Sequence, residues 1–240
     1  NYHLFSLAMP TRYCRGFMLI EILRCKMPSL EASVEELLRL YPRKAENLGV
    51  AVVVNTPERL QVIYLQRGTG DPARWNDYHR WMDKNKEGIG RGEILEVPKG
   101  IMPDIYLRSL DYIRQGLIGE NDDILLQLNL QQWQEQTELK DCIVELAWIQ
   151  RNPGNILKGV GQEFYFRMLD WLKAKGYRFL LDAPLTPQIA IYWQSLGQVP
   201  LKSLKPDKIK LFTDPDNLIP YHVHFLYDEG KAEFMKPTHH

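Results

Sequence analysis

The sequence predicts an α/β fold: a mixed sheet flanked by helices, with an N-terminal α+β extension. Three observations lead there. From residue 141 the chain alternates strand, helix, strand, helix and then two closing strands. Upstream, GVAVVV (49–54) and LQVIYLQ (60–66) are split by Asn55-Thr56-Pro57-Glu58, which reads as a hairpin. Hydrophobic residues make up 45% of the 240, against 25% charged, enough apolar surface to offset the ordering entropy of a packed core.

The elements follow in order. Residues 28–41 open with Pro28 and Ser29 and place Leu30, Val34, Leu37, Leu38 and Tyr41 at helical spacing. After the hairpin, a helix is expected from Asp71-Pro72 to about Lys84, then the glycine-bearing KNKEGIGRGE stretch. A strand at 93–97, a helix at 103–117 and a strand at 123–130 come next. DCIVELAWIQ (141–150) reads as a buried strand ending at Asn152-Pro153-Gly154. A helix from about Gly161 to Ala174 carries Phe164, Met168, Leu169, Trp171 and Leu172 on a broad apolar face, and Gly176 ends it. YRFLLD (177–182) is a strand. Thr186 caps a helix with Pro187 at its first position, and Gly197 closes it. KIKLF (208–212) and YHVHFLY (221–227) read as the last two strands. By domain, 1–44 is the extension, 45–228 the α/β domain, best supported over 123–228, and 229–240 a tail.

Composition narrows the function classes. Thirty basic residues balance thirty acidic ones, so the formal net charge is zero. That argues against a protein held to nucleic acid by bulk charge. No apolar run approaches the ~18 residues of a membrane-spanning helix. Cys14, Cys25 and Cys142 form no CxxC pair and leave an odd count, so neither a disulfide scaffold nor a cysteine zinc site is expected. A reducing cytoplasm is the simplest compartment. The stretch to Ala8 lacks the basic start of a signal peptide. His239 and His240 look like a tag remnant and carry no chemical argument.

The stretch from Pro153 to Gly161 links a strand to a helix. Gly159 and Gly161, one residue apart, let backbone approach a ligand closely, and the helix behind adds its positive dipole end. Such a loop suits a pyrophosphate. Neither the Walker A nor the GxGxxG pattern fits it, since position 164 is Phe.

Arg151-Asn152-Pro153, Ile156-Leu157-Lys158-Gly159-Val160-Gly161 and the later Ala190-Ile191-Tyr192-Trp193-Gln194-Ser195-Leu196-Gly197 together resemble the GNAT superfamily of acyl-CoA-dependent N-acyltransferases. The resemblance covers roughly 123–228. It implies a GNAT-like fold and transfer of an acetyl or longer acyl group from acyl-CoA to an amine, with acyl-CoA as co-substrate and no metal. It implies CoA contacts at Ile149, Arg151, Lys158, Gly159, Val160, Gly161, Gln162 and Trp193. Glu145, on the strand that meets the thioester, becomes the base, and Tyr192 the acid for the departing thiolate. The chain departs from the family pattern at Arg151 and Ile156. Trp193 holds the usual tyrosine slot, and Gln198 the usual phenylalanine.

Other features have milder readings. His222 and His224 alternate on one strand and so share a face, without an evident third metal ligand. Trp75, Tyr78, His79 and Trp81 with Arg74 and Arg80 suit stacking on bases or packing of one lobe on another. Two other function classes therefore stand beside the acyltransferase: a non-catalytic GNAT-like binding module, and a nucleic-acid-associated factor. Nucleic acid and membrane partners are not expected; the amine acceptor is left open.

Overall fold

The computed structural model describes residues 28–41, 47–70, 80–81, 83–88, 91, 112–151, 160–214 and 221–237. Helix α1 (Val34–Leu40) starts at Ser33, whose hydroxyl accepts from the Glu36 N–H while the Glu36 carboxylate accepts from the Ser33 N–H. This reciprocal capping box satisfies two donors a helix start would otherwise leave bare. It also places the helix later than the apolar spacing from 28 suggests: residues 28–33 precede it without regular structure, and the Leu30 N–H bonds the Pro57 carbonyl. Strands β1 (Leu48–Asn55) and β2 (Arg59–Gln66) form the expected hairpin. Residues 80–81 and 83–88 are helical, running past Lys84, and so are 112–114. The expected strand at 93–97 lies outside the described residues.

The rest is β3 (Asp123–Gln132), β4 (Ile143–Arg151), α2 (Val160–Lys175), β5 (Phe179–Asp182), α3 (Pro187–Ser195), β6 (Val199–Pro200), α4 (Pro206–Ile209), β7 (His222–Phe225) and α5 (Lys231–Phe234). The capping signals of the sequence are in place. Gly176 and Gly197 take φ of 99° and 100°, a region open to glycine, and the Thr186 hydroxyl accepts from the Ile189 N–H with Pro187 in the first turn. One expected strand is a correction. KIKLF is not a strand: Pro206 opens the short helix α4, and Ile209 and Phe212, three apart, turn inward together. The penultimate strand is instead the two-residue β6, directly after Gly197.

Among the described residues the strands form one mixed sheet in the order β1-β2-β3-β4-β5-β7-β6. Every neighbouring pair is antiparallel except β4 with β5. Helices α2 and α3 each follow a strand and cross to a parallel one, and the right-handed crossover rule puts both on the same face. That face holds the larger core, where Phe164, Tyr165, Met168 and Leu172 of α2 meet Tyr64, Leu128, Leu146 and Leu180 of the sheet. Phe164 meets Tyr64 edge-on at 5.0 Å. Leu30, Leu37 and Leu40 belong to this same core, and Arg167 of α2 donates to the carbonyls of Arg39 and Tyr41. Residues 30–41, expected in the extension, thus share one hydrophobic core with the sheet. The opposite face carries two smaller apolar clusters, one around Phe179, Phe212 and Phe225, the other around Ile63, Leu65 and Tyr112.

Candidate functional site: an opening between two parallel strands

β4 and β5 share a short ladder. Their parallel pairing runs from Ile143 opposite Phe179 to Leu146 opposite Asp182 and stops there. β4 continues to Arg151 with β3 alone beside it among the described strands. Asn129 faces Trp148 while Leu130 faces Leu146, so Ala147 is an extra residue, a bulge. A bulge bends its strand and re-aims the groups around it. It sits one residue beyond the last β4–β5 pair, at the apex of the opening.

Alternation along the strands sorts the candidate residues between the faces. Val160, Ile149 and Trp193 come together on the α2/α3 face. Val160 and Ile149 are half-buried there, and Trp193 packs its ring 4.8 Å from Tyr165. Gly161 lies in the first turn of α2, and a Cβ added to it would meet nothing within 4 Å. Gln162 beside it is exposed. Lys158 and Gly159 lie outside the described residues, as does the side chain of Arg151.

Glu145 projects from the other face. Gln131 across the strand donates to its Oε2 at 2.6 Å. Tyr221 packs against the Phe179, Phe212 and Phe225 cluster on this side, and burial, with the charges of Glu145 and Glu135, pushes its hydroxyl up. Next to Glu145 runs a band of amides on β2 and β3. Asn129 accepts from Arg59, Gln61 donates to the Tyr112 hydroxyl at 3.0 Å, and fully buried Gln127 leaves both amide atoms without a partner. Tyr192 is brought to neither face. The expected acid is 46% exposed and touches Trp193 with its ring.

The structure adds a residue that sequence reasoning missed. Asp182 ends β5 at the apex of the opening and is 7% exposed, and its Oδ2 is buried without a hydrogen-bond partner. It shares the α2/α3 face with Leu180. Burial pushes its carboxyl up to about 7; the backbone N–H of Ala183 opposes the shift, and the charge of Glu145 adds to it. The only sequence signal was the acid closing a run of buried apolar residues, FLLD.

Of the two histidines, His222 is buried and His224 half-buried. His222 is 5% exposed with its Nε2 3.0 Å from the Gln194 amide. Burial first, and then the charge of Lys231, hold His224 down at about 4, so it is neutral at neutral pH. Gln198 donates to the Tyr165 hydroxyl at 3.0 Å, and the same hydroxyl hydrogen-bonds His224 Nδ1 at 3.3 Å. Among the described residues no group of three His, Cys, Asp or Glu is placed to hold a metal ion. No helix among them is long and apolar enough to cross a membrane.

No family model and no curated protein matches the chain. Among solved structures it is similar to the crystal structure of Tetrahymena GCN5, with 13% identity, 55% of this chain and 93% of that one covered, and a TM-score of 0.34. It is similar also to the structure of yncA, a candidate acetyltransferase from Salmonella typhimurium with its cofactor acetyl-CoA. Here the identity is 13%, the coverage 77% of this chain and 96% of that one, and the TM-score 0.34. Likeness of that size assigns no function; the chemistry of the opening has to.

Proposed function

We propose that the chain is a GNAT-like acyltransferase that moves an acetyl or other acyl group from acyl-CoA to an amine. One observation carries this reading: the β4–β5 pairing ends at Leu146 and Asp182, and β4 runs on past a bulge at Ala147 with no β5 residue beside it. A thioester laid in the opening would meet the backbone of Ala147–Arg151, which has no β5 partner. Backbone N–H groups fixed in advance at a developing oxyanion lower the barrier without reorganising. Behind the opening stands the start of a 16-residue helix, whose positive end suits a pyrophosphate, with Gly161 leaving room for one. Lys158, Gly159, Arg151 and Gln162 complete that cradle in the sequence reading.

In the reaction, the amine nitrogen attacks the carbonyl carbon, the amide C–N bond forms and the C–S bond breaks. The attacking nitrogen must lose a proton. Glu145 is the half-buried carboxylate on β4 next to the apex, oriented by Gln131, and takes that proton directly or through water. The acceptor, a small molecule or a protein, then approaches from the face carrying the amide band.

The test pairs titration of acetyl-CoA with turnover over an amine panel. The sharpest variant is Gly161→Val. Nothing stands within 4 Å of the new Cβ and valine suits a helix better than glycine, so the fold is kept. The branched side chain covers the approach to the N–H groups. Acetyl-CoA affinity should fall at least ~tenfold with unchanged thermal stability. A folded variant binding as tightly as wild type removes the cradle. Binding by wild type without turnover of any amine moves the non-catalytic binding module to first place.

A further inference from the structure

Acyl transfer leaves a thiolate, which needs a proton of its own. On the face where α2 and α3 cover the sheet, the obvious donors are poorly suited. Trp193 has no acidic proton. Tyr192 is 46% exposed, with its ring against Trp193. The Tyr165 hydroxyl is already held between Gln198 and His224, and burial pushes it well above its ordinary range. Among the described residues one carboxyl stands at the apex on this face. Asp182 is the last residue of β5 paired to β4, shares the face with Trp193, and keeps Oδ2 buried without a partner. An unpartnered buried oxygen costs stability on the order of 1–3 kcal/mol, a cost a folded chain rarely carries without a use for the atom.

We propose that Asp182 is the general acid that protonates the departing CoA thiolate, a role that rests on the acyl-transfer reading above. The proton on Asp182 Oδ2 passes to sulfur as the C–S bond breaks, while the proton from the attacking nitrogen goes to Glu145. Water then returns a proton to Asp182 and removes one from Glu145, so the enzyme ends as it began. The two carboxylates stand on opposite faces of the sheet at neighbouring ladder positions, Glu145 opposite Leu181 and Leu146 opposite Asp182. Environments that separate two carboxyls in this way divide the acid from the base. Burial, which holds Asp182 protonated up to about 7, fits the acid's side of that division. The titratable groups around it are Tyr165 from α2, His222 opposite it and His224 on β7, and Glu145 from β4, with Tyr192 of α3 near the Tyr165 hydroxyl. His224 is neutral above about 4, and burial keeps the Tyr165 hydroxyl protonated through this range, so comparison with Asp182→Asn isolates the carboxyl's own titration.

The test is the pH profile of turnover with saturating acetyl-CoA and the most reactive amine of a broad panel, for wild type, Asp182→Asn and Asp182→Glu. Wild type should lose rate as pH rises through about 7, where the acid gives up its proton. Asp182→Asn should lower turnover ~10²-fold, lose that falling limb, and bind acetyl-CoA as wild type does. Asp182→Glu should keep the limb and part of the rate, which a purely structural role would not predict. A falling limb that persists in Asp182→Asn, or an unchanged rate, overturns the acid while leaving acyl transfer intact. A wild type that binds acetyl-CoA and releases no thiol with any amine overturns both.

Discussion

Glu145→Gln is expected to lower turnover by ~10²–10⁴-fold while leaving acetyl-CoA affinity nearly intact. Glutamine keeps the length and shape of glutamate, and its amide oxygen can still accept the Gln131 hydrogen bond that holds Glu145 Oε2 at 2.6 Å. What disappears is the ability to take a proton. The side chain faces away from α2 and the cradle, so CoA contacts should not register the change. Steady-state kinetics beside an acetyl-CoA titration separate the two effects. Should Glu145→Gln keep full activity, the base lies elsewhere; Glu93 and Glu96, outside the described residues, are the next candidates from sequence.

Asp182→Asn should make the folded protein more stable at neutral pH by about 2–4 kcal/mol, and no more stable near pH 4. Folding raises this carboxyl from its ordinary 3.8 to about 7. Between those values the native state holds a proton that the unfolded chain has released. Native stability is therefore greatest below the unfolded value, falls as pH rises through the window, and levels off above about 7. Asparagine carries no charge to desolvate and escapes that loss. Urea unfolding of both proteins at pH 4, 6 and 8 reads the difference directly, since contributions from other groups cancel. A difference that stays flat across the range would mean that the carboxyl is not held in a desolvated site. A variant both more stable and slower would be the usual mark of a functional group kept at a cost.

The two acids also show where sequence reading reached its limit. The position of Glu145 was legible because DCIVELAWIQ is long enough to be recognised as a strand; its role as base came from the resemblance alone. Asp182 was not legible, because an aspartate before Ala183-Pro184 looks like the start of a loop. Its burial depends on α2 and α3 arriving from distant sequence. The helices from 160 to 195 were readable to within a residue or two because Thr186, Pro187, Gly176 and Gly197 each mark a boundary by backbone chemistry alone. KIKLF misled because alternating Lys and Ile imitates a half-buried strand, whereas Pro206 starts a turn of helix. β6, at two residues, is too short for any periodicity to register. The bulge at Ala147 has no local signature either; it exists in the register between β3 and β4.

The short β4–β5 ladder has a mechanical consequence. β2 and β3 are laced together along eight and ten residues, but the two halves of the sheet meet through four pairs, Ile143–Leu146 with Phe179–Asp182. On one face the join is reinforced by α2, whose Phe164 and Tyr165 touch both halves of the larger core. On the other face the join is held by side chains: Ile143 and Trp133 pack with Phe179, Leu181 and Phe212, and the Trp133 ring N–H donates to the Phe212 carbonyl at 2.6 Å. Few backbone bonds resist a widening beyond Leu146 and Asp182, so the freedom of that end is set by side-chain packing at the closed end of the ladder.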